Sequence, residues 1–265
     1  MNTAPIYLRW LLDNRRALLG WAAGLAGVCL LYLPLFPSMR DSGLIGEKLD
    51  VMPKEMIESF GMDLLTVATG WGYTHQMVFG MLGLLLLLVL GIGQGSRAIA
   101  GDEESGSLEL TLAHATDRRS VLSARLLAVV TIVAAMTLGL TLVVAALSTP
   151  SELGLSASGL LGEGAALGLL VLLHAMVAFA VGALTGRRSA AMGAAAVVAV
   201  LGWFAHNMGA KVAEWVPDLS PYQWAFGGTP LRNGPDLGGL GALAAGCVLL
   251  IAVSYVAFAR RDLRA

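Results

Sequence analysis

The chain has 265 residues, of which 57% are hydrophobic and only 13% are charged. Soluble domains carry about 25% charged residues, so this composition excludes a chain that is solvated mainly by water. The mean hydropathy of +0.74 and the length together suit about six membrane-crossing helices with their loops. The net charge of −1 provides no overall basic field, which argues against nucleic acid as a partner.

The N-terminal residues 4–16 mix aromatic and charged side chains before the first long apolar run. Trp10, Arg15 and Arg16 are typical of an interfacial elbow helix, whose ring lies at the depth of the lipid headgroups while its arginines face water and phosphate. The alternative is a plain helical extension of the first span. The apolar run that follows has no small-residue cleavage site, so we expect it to remain as a spanning helix.

Six apolar runs predict an all-α polytopic membrane protein in which residues 1–265 form a single transmembrane domain. Two long connections, 38–75 and 207–236, predict short helices that dip into the membrane, with aqueous loops as the alternative. The predicted spans cover about 17–36, 76–98, 121–148, 160–184, 189–207 and 237–259.

The distribution of positive charge predicts the orientation of the spans. If the N-terminus is cytoplasmic, twelve of the 17 arginines and lysines lie in inner segments and five lie in outer segments. This asymmetry and the even number of spans predict that both termini are cytoplasmic. The twelve inner residues are Arg9, Arg15, Arg16, Arg97, Arg118, Arg119, Arg125, Arg187, Arg188, Arg260, Arg261 and Arg264.

Several glycines lie four residues apart within or beside the predicted spans, a spacing that lets helix backbones approach closely in lipid. Some such pairs arise by chance in a chain with 33 glycines. The pattern therefore indicates a compact bundle but no particular dimer face. The pairs are Gly20 and Gly24, Gly91 and Gly95, Gly164 and Gly168, and Gly182 and Gly186.

The sequence contains no motif for nucleotide hydrolysis. None of its lysines, Lys48, Lys54 and Lys211, follows a glycine, so the P-loop pattern GxxxxGK[ST] is absent. The HExxH and GxSxG motifs are absent as well, and no Cys/His cluster has the spacing of metal ligands. We therefore predict that the chain is not itself an enzyme and binds no metal or other cofactor.

Few ionisable groups fall inside the predicted spans. His174 lies near the middle of the fourth, where an ionisable group is a candidate for a substrate or proton pathway; a neutral histidine bonded to a neighbouring helix is the alternative. Glu163 lies near the outer end of the same span, and we expect it to be hydrated. Cys29 and Cys247 are interpreted as small apolar fillers.

The most informative segment is the connection between the second and third spans, residues 101–121, which reads GDEESGSLELTLAHATDRRSV. Residues 102–114 can form a short helix with Asp102, Glu103 and Glu104 in its first turn, where carboxylates complement exposed backbone N–H groups. Leucines further along supply an apolar surface. The pattern indicates a helix that docks against a partner in water, with a membrane-hugging connector as the alternative.

This segment resembles the permease subunits of the ABC-2 type ABC transporters, which carry E-E-x-G-T-L-E-L-L-L-A-x-P-x-x-R after their second span. Ser107 replaces a threonine, Thr111 a leucine and Ala115 a proline, and the last change leaves the end of the coupling helix less defined. The segment LSPYQWAFGGTPLRNG before the last span and the RRD ending also fit the family. The matching residues are Glu103, Glu104, Gly106, Leu108, Glu109, Leu110, Leu112, Ala113 and Arg118, with Arg125 at the position of a lysine.

The resemblance implies a permease without an ATPase site of its own. Two permease chains would pair, as a homodimer or with a similar chain, and two copies of a separate ABC ATPase would bind ATP and Mg beneath them. A cytoplasmic coupling helix would lie in a groove of each ATPase. The coupling residues implied are Glu103, Glu104, Gly106, Leu108, Glu109, Arg118 and Arg125.

The resemblance also implies a cellular role. The complex would export an amphiphile, such as a drug, a lipid or a peptide-like compound, across the cytoplasmic membrane of a bacterium or archaeon. The route would run between the two permease chains, with the second and fifth spans at their interface.

Two alternatives come from other functional classes. An ATPase-independent secondary transporter or channel would need paired intramembrane charges or broken helices at matching positions of two halves, and neither is apparent. An intramembrane enzyme would need a nucleophile and a base, and no such pair can be assembled from the sequence.

Overall fold

The computed structural model of the chain describes residues 3–42, 64–104 and 117–260. Every regular element within these ranges is a helix. Six helical segments among them are long and apolar enough to cross a membrane, which confirms the predicted number. They are span 1 (Ala4–Asp41), span 2 (Gly70–Glu104), span 3 (Arg118–Ser148), span 4 (Ala157–Thr185), span 5 (Arg188–Lys211) and span 6 (Leu237–Arg260).

Three of the spans change helical geometry along their length. Span 1 consists of α-helix Ala4–Tyr32, 3-10 helix Leu33–Leu35 and α-helix Phe36–Asp41. Span 5 consists of α-helix Arg188–Met208 and 3-10 helix Gly209–Lys211. Span 2 consists of α-helix Gly70–Thr74, π-helix His75–Leu82, α-helix Gly83–Ser96, π-helix Arg97–Gly101 and α-helix Asp102–Glu104.

Short helices also occupy the two long connections between spans. In residues 207–236, where the sequence predicts short helices, Pro217, Pro221 and Pro230 each lie in the first turn of a short helix, a position that tolerates the missing N–H group. The sequence 53–63 in the first connection lies outside the described residues. The short helices are Leu64–Val67, Pro217–Leu219, Pro221–Phe226 and Pro230–Asn233.

The six spans alternate in direction, so the bundle has two ends. We call one the terminal end, where Arg97 Nη1 of span 2 donates to Asn14 Oδ1 of span 1 at 2.9 Å. We call the other the distal end, where the Tyr73 hydroxyl of span 2 donates to the Tyr32 carbonyl at 2.9 Å. Residues 105–116, outside the described part of the chain, connect spans 2 and 3 at the terminal end.

The N-terminal segment differs from the predicted elbow. Residues 4–16 continue span 1 without a break, because no proline or glycine lies between Pro5 and Gly20 to interrupt the helix. Arg15 and Arg16 are exposed, as expected, but Trp10 is only 4% exposed and does not present its ring to the surface. The helical extension, which was the alternative, is the structure observed.

Span 4 forms the centre of the bundle. The most apolar stretch of this span is 67% buried, against 17% for span 1 and 22% for each of spans 5 and 6. Spans 4 and 5 form an antiparallel pair joined by a tight turn, in which Gly186 has φ 63°, a left-handed conformation that favours glycine. Both cysteines, Cys29 and Cys247, are unpaired and buried.

Glycines allow span 2 to approach span 4 closely. A Cβ atom at Gly91 would lie 2.8 Å from Val171 Cγ1, and one at Gly95 would lie 2.2 Å from the Ala175 carbonyl oxygen. These distances leave no room for a side chain, so the two backbones are in direct contact. The pair Gly20 and Gly24 differs, because no atom lies within 4 Å of either position.

We predict that Gly95→Ala destabilises the bundle by about 1–3 kcal/mol, the usual cost of overpacking. The melting temperature of the purified protein should fall by several degrees in a thermal unfolding experiment. Gly93→Ala is the matched control, because it lies in the same helix with no atom within 4 Å of its Cβ position. Equal melting temperatures for the two variants would contradict the close approach of spans 2 and 4.

Candidate functional site

An aromatic ring at the terminal end is covered by two arginines from other spans. The guanidinium carbon of Arg125 lies 4.1 Å from the centre of the Trp10 ring, and that of Arg97 lies 5.1 Å from it. The Asn14 amide bridges the same groups, since Nδ2 donates to the Trp10 carbonyl at 2.8 Å and Oδ1 accepts from Arg97. Cation–π contacts of this kind are strongest when they are shielded from water. Spans 1, 2 and 3 therefore meet around one side chain.

The second feature of this end is a buried ion pair. Arg125 Nη2 of span 3 lies 2.5 Å from Asp102 Oδ2 of span 2, and their side chains are only 11% and 10% exposed. The resemblance to ABC-2 permeases implies that Arg125 is a coupling residue, which would face lipid phosphates or acidic residues of a partner. The structure corrects this prediction: Arg125 points into the bundle, because the Asp102 carboxylate and the Trp10 ring are both within reach.

Glu103 and Glu104, the other carboxylates of this helix, lie nearer the surface than Asp102. Glu104 is exposed, and its Oε1 accepts the backbone N–H of Arg188 at 2.8 Å. That N–H is one of the unpaired donors at the start of span 5, where a carboxylate is favoured. The contact links the end of span 2 to the beginning of span 5.

The remaining predicted coupling residues are divided between described and undescribed parts of the chain. Arg118 is exposed at the first residue of span 3. Gly106, Leu108 and Glu109 lie outside the described residues, as does most of the predicted coupling helix. The structure thus places Glu103, Glu104 and Arg118 at the two points where the chain leaves and re-enters the bundle.

His174, the predicted pathway residue, is completely buried in the middle of span 4. Its Nδ1 is bonded to the Leu170 carbonyl of its own helix at 2.8 Å, and its ring meets that of Tyr222 with centres 5.7 Å apart. Burial raises the pKa of the Tyr222 phenol, so this neighbour stays neutral. In this conformation His174 lies within packed protein, and contact with a passing molecule would require the packing to open.

A second polar cluster lies at the distal end, and the sequence analysis did not predict it. Glu163 is fully buried rather than hydrated: its Oε1 lies 2.6 Å from His75 Nδ1 of span 2, and its Oε2 accepts the Leu231 N–H at 3.0 Å. The predicted second span began at residue 76, which left His75 in a loop. The usable signal was a histidine and a carboxylate at the outer edges of two predicted spans, the second and the fourth.

This distal cluster borders a cavity of about 360 Å³ between spans 2, 4 and 5. His206 of span 5 lies on the same cavity, and its Nδ1 is 2.9 Å from Gln223 Oε1. Thr229, also in the lining, has φ 48°, a strained conformation for a β-branched residue. His75, Glu163, His206 and Gln223 are therefore held in fixed positions by specific bonds.

No group of three or more potential metal ligands occurs among the described residues. A family model described as "ABC-2 family transporter protein" matches residues 6–263. The chain belongs to the ABC-2 transporter family. No curated protein and no solved structure matches the chain.

Membership of the ABC-2 family defines the general role of the chain. The chain is the membrane component of an ABC transporter, that is, a multi-pass permease subunit. Subunits of this family generally lack an ATPase site of their own, and membership implies pairing with an ABC ATPase subunit.

We predict that Asp102→Ala destabilises the permease by about 3–5 kcal/mol, because it leaves the Arg125 charge buried without its partner. The double variant Asp102→Ala with Arg125→Met should recover most of this loss, as measured by thermal unfolding. Asp13→Ala is the control, since Asp13 pairs with Arg9 at 3.8 Å on the surface with side chains 64% and 85% exposed. This change should cost less than about 1 kcal/mol. Equal losses for both single variants would show that the buried pair has no special role.

Proposed function

We propose that this permease is half of an ATP-driven exporter for amphiphiles in a bacterial or archaeal cytoplasmic membrane. Two copies form the membrane-spanning part, and two copies of a separate ABC ATPase supply ATP and Mg sites beneath them. The observation that carries this proposal is the buried ion pair of Asp102 and Arg125. This pair joins the end of span 2 to the beginning of span 3, the two elements that residues 105–116 connect in the sequence.

The terminal end faces the cytoplasm in this proposal. Most of the described cationic residues lie at this end, and positive charge is retained on the cytoplasmic side of a membrane protein. Ten cationic residues of the described part belong to this end, against Arg40, Lys211 and Arg232 at the distal end. The ten are Arg9, Arg15, Arg16, Arg97, Arg118, Arg119, Arg125, Arg187, Arg188 and Arg260.

Residues 105–116 act as the coupling segment that docks on the ATPase. The acidic residues Glu103 and Glu104 lead into this segment and suit basic groups on the ATPase surface. Gly106 permits close approach, while Leu108 and Glu109 continue the contact. Arg125 acts from inside the bundle: it fixes the foot of span 3 against span 2, so that displacement of the segment moves both.

Exposed apolar faces on spans 2 and 5 support a dimer interface there. On span 5, Val197, Leu201 and Phe204 recur at helical spacing and are 56%, 63% and 48% exposed. On span 2, Leu85 and Val89 form a similar row and are 58% and 53% exposed. The opposite side of span 5 presents small buried residues to its own bundle, so the exposed row is left for lipid or a second copy.

The amphiphilic substrate is supported by the character of the surfaces inside the membrane. A groove of about 350 Å³ between spans 3 and 4 is lined almost entirely by apolar and small residues. Leu138, Leu161 and Leu169 form part of it, while Thr137 and Thr141 add two hydroxyl groups. An acyl chain or another apolar group fits such a lining, whereas a hydrated ion does not.

We predict that the double charge reversal Glu103→Lys with Glu104→Lys lowers ATP-dependent transport at least tenfold, because like charges across the interface cost several kcal/mol. Transport is measured in proteoliposomes that contain the permease and its ATPase. The subunit should still insert into the membrane. Glu214→Lys, at an exposed distal position, is the control and should retain transport. Undiminished transport by the double variant would remove these carboxylates from the coupling mechanism.

We also predict that Val197→Cys forms a disulfide between two permease copies under mild oxidation, because residues at a two-fold interface approach their own equivalents. The measurement is the appearance of a covalent dimer on a non-reducing gel. Val248→Cys is the matched control, since Val248 is 65% exposed on span 6, away from the proposed interface. A dimer with Val248→Cys and none with Val197→Cys would place the interface elsewhere.

A further inference from the structure

A groove lies on the exposed surface of the bundle at the terminal end, between span 6 and the end of span 4. Its volume is about 560 Å³, which is within the usual range of small-molecule sites. Among its lining residues Arg260 alone is charged, and the others are apolar. The lining consists of Leu184 of span 4 and of Ala252, Val253, Val256, Ala257 and Arg260 of span 6.

The apolar wall of the groove has nearly the depth of one membrane leaflet. The helix rises about 12 Å from Ala252 to Arg260, and half of the hydrocarbon core of a bilayer is about 15 Å. Val253 and Val256 on this wall are 37% and 51% exposed. Because Arg260 is the last residue of span 6, the groove runs from the membrane surface towards the middle of the bilayer. A lipid acyl chain follows the same path.

Positive charge lies at the shallow end of the groove. Arg260 is exposed, and no ion pair joins it to a carboxylate of the described residues. Arg187, in the turn after span 4, is three residues beyond Leu184 and is exposed and unpaired in the same sense. Arginine side chains at helix ends extend along apolar surface and keep the guanidinium group at the level of the lipid headgroups. Guanidinium groups bind phosphate oxygens in charge-assisted hydrogen bonds.

Other carboxylates of the terminal end have partners elsewhere. Asp13 and Asp102 pair with arginines of spans 1 and 3, and Glu104 accepts the backbone N–H of Arg188. A second copy of the chain is a poor occupant of the groove, because a two-fold contact would bring the equivalent arginines of both copies together. The charge therefore favours an anionic occupant.

We propose that this groove is a binding site for an anionic phospholipid of the leaflet at the terminal end. One acyl chain lies along Ala252, Val253 and Val256, and the phosphate accepts hydrogen bonds from Arg260 and Arg187. Basic pockets between membrane helices bind lipid headgroups of this charge. The site lies on span 6, away from the proposed dimer interface on spans 2 and 5. It does not depend on the ATPase or on the exported compound.

The experiment measures lipid binding to the purified full-length permease by native mass spectrometry with three probes. Dioleoylphosphatidylglycerol is anionic, and dioleoylphosphatidylcholine has the same chains with a zwitterionic headgroup. Inorganic phosphate carries the charge without a chain. We expect the anionic lipid to bind at least tenfold more tightly than the zwitterionic lipid, since each arginine beside an anionic lipid contributes about fivefold. Inorganic phosphate should not bind at the same concentrations.

Charge variants connect the binding to the two arginines. Arg260→Gln should weaken binding of the anionic lipid about fivefold, and Arg260→Gln with Arg187→Gln should weaken it further. Arg260→Lys retains the charge and should keep most of the affinity. The control is Arg9→Gln, because Arg9 lies at the same end but pairs with Asp13 at 3.8 Å on the surface. Its affinity should equal that of the wild type.

A second pair of variants tests the acyl chain. Ala252→Phe fills the groove at an exposed position, so the fold should be retained. Binding of the anionic lipid should weaken about tenfold, which corresponds to lost contact with about two methylene groups. Ala245→Phe is the matched control, because Ala245 is exposed on the same helix and does not line the groove.

Four results would overturn the proposal. Equal affinity for the two lipids would show that headgroup charge does not contribute, and binding of inorganic phosphate as tight as that of the anionic lipid would make the ligand a free ion. Equal affinities within either pair, Arg260→Gln with Arg9→Gln or Ala252→Phe with Ala245→Phe, would place the lipid elsewhere. A covalent dimer of Val253→Cys under mild oxidation would assign the groove to a second copy of the chain.

Discussion

The ion pair between Asp102 and Arg125 is the constraint on which the terminal end of the permease depends. Both side chains are almost buried, so separation would leave two charges in surroundings of low dielectric, where the cost is several kcal/mol per ion. The pair joins the last turn of span 2 to the beginning of span 3, and Trp10 adds span 1 through its ring. The chain leaves and re-enters the bundle beside this pair. A force on residues 105–116 therefore acts on three spans together.

Glycine packing extends this rigid unit to the centre of the bundle. Span 2 contacts span 4 directly at Gly91 and Gly95, and span 4 is the most buried of the six. Packed helices of this kind do not deform continuously, so a displacement at the terminal end moves the whole subunit. In the proposed dimer, the motion then takes place between the two copies of the chain. The proposed route opens where two apolar faces separate, so transport needs no charged groups along the middle of each bundle.

The sequence was sufficient to predict the six spans, because each is a long apolar run that no soluble helix requires. It was also sufficient to indicate the family, since residues 103–118 follow a pattern that is specific to ABC-2 permeases. It could not predict the partners of the charged residues. Trp10 is of a residue type that is common at membrane interfaces, and its neighbours in the sequence are charged. Only the packing of three spans places its ring beneath Arg97 and Arg125. Glu163 and His75 are 88 positions apart, and neither residue reveals by itself that the other neutralises it inside the bundle.

The most direct test of this account measures distances between spin labels in the complex with its ATPase, before and after ATP binding. A single label at Arg119→Cys, an exposed position on span 3, reports the distance between the two permease copies. Labels at Arg119→Cys and Arg187→Cys, introduced together in one copy of the chain, report the distance between spans 3 and 5. The account predicts that ATP changes the first distance and leaves the second unchanged. A constant distance between copies in a complex that transports its substrate would contradict the account.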